Sequence, residues 1–131
     1  MTIQIGATNC GSGEDTYIAF EIGPTIDSLS TALTLTRVAG VARADAIKVQ
    51  ILDPETLIGR DTDVAYQNAN GDPAKESMLA ILRRRVLTRD EWRQISEHAR
   101  AWSLAFIATV DGPETLQLAV DLDASAIKVC S

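Results

Sequence analysis

The sequence predicts an α/β chain: the N-terminal half of a TIM (β/α)8 barrel, four parallel strands with helices between them, preceded by a β-hairpin. Three observations predict it. A short strand-like motif occurs twice, as Asp45-Ala46-Ile47-Lys48-Val49-Gln50 and as Ser125-Ala126-Ile127-Lys128-Val129-Cys130-Ser131. Each copy is rich in β-branched residues and follows a helical pattern, as a strand buried on both faces of a parallel sheet does. Helical and strand-like periodicities alternate along the chain, which is the signature of βαβ units with right-handed crossovers.

The repeated motif also points to a site. On a strand, Ala46, Lys48 and Gln50 share one face and Ile47 and Val49 the other. Ala126, Lys128 and Cys130 oppose Ile127 and Val129 in the same way. A lysine within such a strand is costly to bury unless it meets an anion. The aliphatic faces are therefore expected under helices and the lysine faces in a site. The alternative is a lysine snorkelling from a strand end.

Taken in order, Thr2 to Ile5 alternate weakly and Asn9-Cys10-Gly11-Ser12-Gly13 reads as a turn, giving a small hairpin. Tyr17 to Gly23 is the first strong strand, with Tyr17, Ala19 and Glu21 on one face and Ile18, Phe20 and Ile22 packed on the other; Pro24 ends it. Asp27 or Ser28 can cap the next helix. Leu29, Leu33, Val38 and Val41 make its apolar side through Ala42, before the strand that carries Lys48.

From Asp53 to Pro73 the pattern breaks into a long polar connection, of the kind that is functional or disordered in compact domains. It follows the C-terminal end of a strand, where α/β sites are built. Lys75 to Leu82 reads as a short helix, and Arg83-Arg84-Arg85 as either a solvated face or a basic cluster. Thr88 with Glu91 forms a capping box. Trp92, Ile95, Ala99 and Trp102 recur at helical spacing as a buried stripe. His98 lies beside the stripe on a charged helix, structural or exposed. Leu104 to Val110 is the third strand, with Thr109 at its C-terminal end. Asp111-Gly112-Pro113 turns into a helix over Glu114 to Leu122, and the chain enters the strand of Lys128.

At 131 residues the chain is one domain or part of one, here a single partial barrel domain over 1–131. Its 46% hydrophobic and 23% charged residues are ordinary for a soluble globular protein. No apolar run approaches the ~20 residues of a membrane helix, so no membrane is expected. A net charge of −6 argues against nucleic acid but leaves room for a local anion pocket. Cys10 and Cys130 lack metal-ligand spacing, and no signal peptide is visible. Reduced thiols and a cytoplasmic location are expected. With His98 the only histidine, no His-pair motif is possible. A half-barrel leaves strand edges and apolar surface uncovered. The chain is therefore expected to pair as a homo-oligomer or to be part of a longer protein.

These segments, in this order, resemble the N-terminal half of the sialic acid synthase family, which includes the spore-coat polysaccharide synthases. The resemblance rests on the Ile3-to-Gly13 hairpin, Glu21-Ile22-Gly23, Ala44-Asp45-Ala46-Ile47-Lys48-Val49-Gln50 and Glu76-Ser77-Met78-Leu79. It continues through Leu87-Thr88-Arg89-Asp90-Glu91-Trp92, Phe106-Ile107-Ala108-Thr109 and Ile127-Lys128-Val129-Cys130-Ser131. It implies a carbohydrate-biosynthesis transferase that condenses phosphoenolpyruvate with an N-acyl hexosamine to a nonulosonic acid. Lys48, Thr109, Lys128 and Ser131 would line the phosphoenolpyruvate pocket. Glu21 would be the catalytic carboxylate near the reacting carbon and its water, and Gln50 would face the sugar. Two ammonium groups and two hydroxyls suit a phosphate and a carboxylate. A divalent metal, Mn or Mg, would polarise the sugar aldehyde.

The chain departs from the family pattern in three places. After Glu21-Ile22-Gly23 the family's x-N-H-x-G becomes Pro24-Thr25-Ile26-Asp27-Ser28. Cys130 replaces a glycine, as a small packed residue or a reactive thiol. The family's metal-binding histidines belong to the second half of the barrel, so the metal ligands are expected to be absent here and the chain inactive alone. The competing expectation is a non-catalytic, self-associating half-barrel that binds a small anion.

Overall fold

The computed structural model describes residues 1–23 and 26–130. The four-stranded parallel sheet forms as expected. Its strands are β3 (Ala19–Glu21), β4 (Ala46–Gln50), β7 (Ala105–Val110) and β8 (Ala126–Val129), in the order β3-β4-β7-β8. Helix α1 (Leu29–Val41) joins β3 to β4, α4 (Arg89–Ala101) precedes β7, and α5 (Pro113–Asp121) joins β7 to β8. The preceding hairpin is β1 (Thr2–Ile5) with β2 (Thr8–Gly11). The architecture is half of a (β/α)8 barrel.

The aliphatic face of the sheet is the core. Ile47, Val49, Phe106, Ala108 and Val110 are buried on it, under Ala32, Ala39, Trp92, Ile95, Ala99, Ala119 and Leu122. On this face the central strands β4 and β7 are covered. Edge strand β8 is not, and its Val129 is 75% exposed.

The helix starts follow their caps. Ser28 Oγ accepts from the Thr31 N–H at 3.2 Å to begin α1. The Thr88–Glu91 capping box closes in both directions. It satisfies two of the N–H groups that a helix start leaves without partners.

Several expectations change. The N-terminal turn lies at Gly6, whose φ of +59° suits a tight hairpin turn, while Asn9 to Gly11 pair with β1. A Cβ on Gly6 would come within 2.9 Å of the Ala105 Cβ, so the hairpin packs on the N-terminal end of the sheet. Ile18, expected to pack beside Phe20, is half exposed below the end of β3.

Of the expected apolar side of α1, Leu29 and Leu33 pack against the core, but Val38 and Val41 are 45% and 63% exposed. Ala32, Thr36 and Ala39 are buried instead. Small residues let α1 approach α4 closely: a Cβ on Gly40 would sit 2.6 Å from the Trp102 ring. Trp102, expected inside, therefore lies across Gly40 with 38% of its surface exposed.

The polar connection after β4 is also built. Asp53 caps the short helix α2 (Pro54–Leu57), and β5 (Asp63–Gln67) pairs antiparallel with β6 (Pro73–Ser77). Lys75 to Ser77 are thus strand, and the short helix α3 starts at Met78 (Met78–Arg83). This hairpin has no buried apolar face to leave a period-2 pattern. Its turn is held by polar groups, with Asn68 Oδ1 accepting from the N–H groups of Asn70 (2.9 Å) and Asp72 (3.0 Å). Arg84 pairs with Glu76, so that member of the arginine cluster ties the end of α3 to β6.

Candidate functional site

The parallel register sets the candidate residues in two rows. Glu21 is level with Lys48, and Lys48 with Ile107. One row toward the C-terminal end, Gln50 is level with Thr109, and Thr109 with Lys128. Residues level with one another in a parallel sheet project to the same side. Five residues far apart in sequence thus share the sheet face opposite the helices. Ser131 and Pro24 lie outside the described residues.

Lys48 is partly buried and forms an ion pair with Glu21. Burial, and then the ammonium of Lys128, hold the Lys48 pKa below the usual lysine value; the Glu21 carboxylate works against that shift. Glu21 is anchored from its other side, because the Gly23 N–H donates to Glu21 Oε1 at 2.8 Å. Gly23 was not legible as a site residue. A Cβ there would lie 2.6 Å from Glu21 Oε1 and 3.1 Å from the Gln50 nitrogen. The only sequence signal is a glycine two residues after a strand-end carboxylate.

Thr109 is only 4% exposed, yet its hydroxyl has no hydrogen-bond partner among the described residues. A buried hydroxyl without a partner is uncommon and calls for a physical reason. Lys128 is exposed and makes no ion pair among the described residues. The loops at this end of the sheet are fixed by Asp111. Its Oδ2 accepts from the Asp53 N–H at 3.0 Å, and its Oδ1 accepts from Thr115 Oγ1 at 2.8 Å.

The lysine face is open rather than a closed cavity. A cavity of about 300 Å³ lies elsewhere, between α2, α4 and α5, lined by residues such as Leu87, Arg89 and Trp92. It touches none of the five residues and lacks their convergent charge. Cys130 lines a separate apolar recess with Val110, Leu116 and Val129.

A model of the NeuB family matches residues 35–131. The chain belongs to the NeuB family. The match covers Lys48, Gln50, Thr109 and Lys128, and Glu21 lies upstream of it. The fold of this NeuB family chain is similar to that of the N-acetylneuraminic acid (sialic acid) synthetase of Leptospira borgpetersenii serovar Hardjo-bovis, solved with citrate. The TM-score is 0.79 at 20% identity, over 98% of this chain and 41% of that one. The spore coat polysaccharide biosynthesis protein SpsE of Bacillus subtilis is similar at TM-score 0.71 and 23% identity, over 98% of this chain and 33% of that one. The NeuB family chain thus spans less than half the length of either protein. A search of curated protein sequences finds no match.

Among the described residues no group of three His, Cys, Asp or Glu side chains is placed to hold an ion. No helix among them is long and apolar enough to cross a membrane.

Proposed function

We propose that this chain is the phosphoenolpyruvate-binding half of a synthase that joins phosphoenolpyruvate to an N-acyl hexosamine, giving a nonulosonic acid for carbohydrate biosynthesis. Membership of the NeuB family supports the class of reaction. The observation that carries the site is the register, which gathers Glu21, Lys48, Gln50, Thr109 and Lys128 on one open sheet face.

In this reading residues 1–131 are one partial barrel domain. Lys48 and Lys128 bind the phosphate and carboxylate of phosphoenolpyruvate as point charges. The Thr109 hydroxyl, without a partner among the described residues, donates to the same anion, and Ser131 adds a second hydroxyl. Glu21 stands one row below and orients the water that attacks the reacting carbon, or moves its proton. Gln50 faces the sugar. Any Mn or Mg ion would take its ligands from outside this chain, so no step is assigned to a metal here. The chain alone is inactive, and the complete site requires further protein, from a longer chain or a second copy.

Titration with phosphoenolpyruvate tests the site. Binding that weakens in Lys48→Ala and Lys128→Ala supports it, whereas unchanged affinity in both variants, or no binding at all, rejects it. Phosphate release from phosphoenolpyruvate by the complete protein, assayed across N-acyl hexosamines, tests the reaction.

A second reading, a self-associating half-barrel that binds a small anion without catalysis, draws on one observation. Ile127 and Val129 at the β8 edge are 38% and 75% exposed. Turnover by the complete protein separates the two: phosphate release from phosphoenolpyruvate favours the first, whereas a stable homodimer by light scattering that binds phosphate and still releases none favours the second.

A further inference from the structure

We propose that Glu21 is a built-in competitor for the anion at this face: it holds the Lys48 ammonium, and an incoming small anion must displace or share it. The inference rests on the reading of the lysine face as an anion site. It follows from an asymmetry between the two lysines. Lys48 forms an ion pair with Glu21, while Lys128 has no ion pair among the described residues. Thr109, with its unpartnered hydroxyl, is level with Lys128 and one row away from the Glu21–Lys48 pair. An anion therefore meets the exposed Lys128 without competition and reaches Lys48 only against a carboxylate.

That carboxylate is held in place. The Gly23 N–H fixes Oε1 while Oε2 faces Lys48, so Glu21 is restrained from both sides. Position 23 has no room for a side chain beside it. With Glu21 ionised, the three charged groups sum to one positive charge rather than two. The face is thereby tuned away from small dianions, which lack groups to reward opening the pair. It favours a ligand large enough to engage Lys128 independently of the pair.

Inorganic phosphate is the probe, titrated by NMR into the parent chain and its variants. Glu21→Gln, which keeps shape and removes charge, is expected to bind phosphate about fivefold more tightly, the size of one partly exposed charge contact. Adding Lys48→Ala to it should abolish the gain. Gly23→Ala, which pushes the carboxylate aside without changing net charge, should also tighten binding. Glu97→Gln on the exposed side of α4 controls for net charge and should change affinity less than about twofold. If the parent binds phosphate and Glu21→Gln binds it no more tightly, the competitor role is wrong. An equal gain in Glu97→Gln also overturns it. If neither the parent nor Glu21→Gln binds phosphate, the anion-site reading itself falls. Weak binding by the parent with clear binding by Glu21→Gln supports both.

Discussion

Replacing Thr109 by valine should make the protein more stable and its anion binding weaker. The threonine is 4% exposed in central strand β7, and its hydroxyl has no hydrogen-bond partner among the described residues. A buried polar group left unpaired costs about 1–3 kcal/mol. Valine keeps the β-branch and nearly the same volume, so it removes that cost without opening a cavity. The expected gain is about 1 kcal/mol, at the low end because a methyl group does not fit a hydroxyl's position perfectly. With a urea slope of about 1–2 kcal/mol/M, the unfolding midpoint should rise by roughly 0.5–1 M. Phosphate or phosphoenolpyruvate binding should weaken by about 1.5–3 kcal/mol, one lost hydrogen bond to an anion. A lower midpoint in Thr109→Val would mean that the hydroxyl is satisfied in the free protein. The claim that it is kept for a ligand would then be refuted. Opposite signs in stability and binding are the signature of a group held for function.

Other perturbations probe the site and its scaffold. Lys48→Ala and Lys128→Ala should each weaken phosphoenolpyruvate binding by about 1–3 kcal/mol, measured by calorimetry. In a side-chain NMR titration the Lys48 ammonium should lose its proton at a lower pH than the ordinary lysine value of 10.5. Lys128→Met should move that titration back up, because one of its causes is removed. Since the folded Lys48 holds its proton less tightly than the unfolded one, folding is penalised below the folded pKa. The penalty is relieved as pH rises from there toward 10.5. Thr88→Ala should cost about 1 kcal/mol of stability in urea melts, because it opens the capping box of α4. Gly40→Ala should cost about 1–3 kcal/mol, since its Cβ must displace the Trp102 ring that lies across α1.

Much of this was legible in the chain because local rules and global fold agree. The motif Ala46-Ile47-Lys48-Val49-Gln50 and its return at Ala126 to Val129 read as strands and are strands. In β4 the alternation correctly separates a helix-covered face from a lysine face, whereas in edge strand β8 the aliphatic residues Ile127 and Val129 stay 38% and 75% exposed. The Thr88–Glu91 cap likewise starts α4 as its sequence pattern requires. These features depend on spacing between near neighbours, which a sequence displays directly.

Other features depended on distant partners. Val38 and Val41 misidentify the inner face in the second half of α1, where Leu29 and Leu33 had marked it in the first, because hydrophobicity marks large residues while close helix packing selects small ones. The β5–β6 hairpin escapes notice because it buries no apolar face, and its pairing rests on polar bonds across a turn. By itself the sequence determined the strand-and-helix alternation, the faces of the central strands and the candidate residues Glu21, Lys48, Gln50, Thr109 and Lys128. Only the tertiary structure decided that Glu21 occupies Lys48, that Gly23 holds it there, and that Thr109 is left without a partner among the described residues. The physical reason is that register between parallel strands is set by packing across the whole sheet, over separations that no local pattern records.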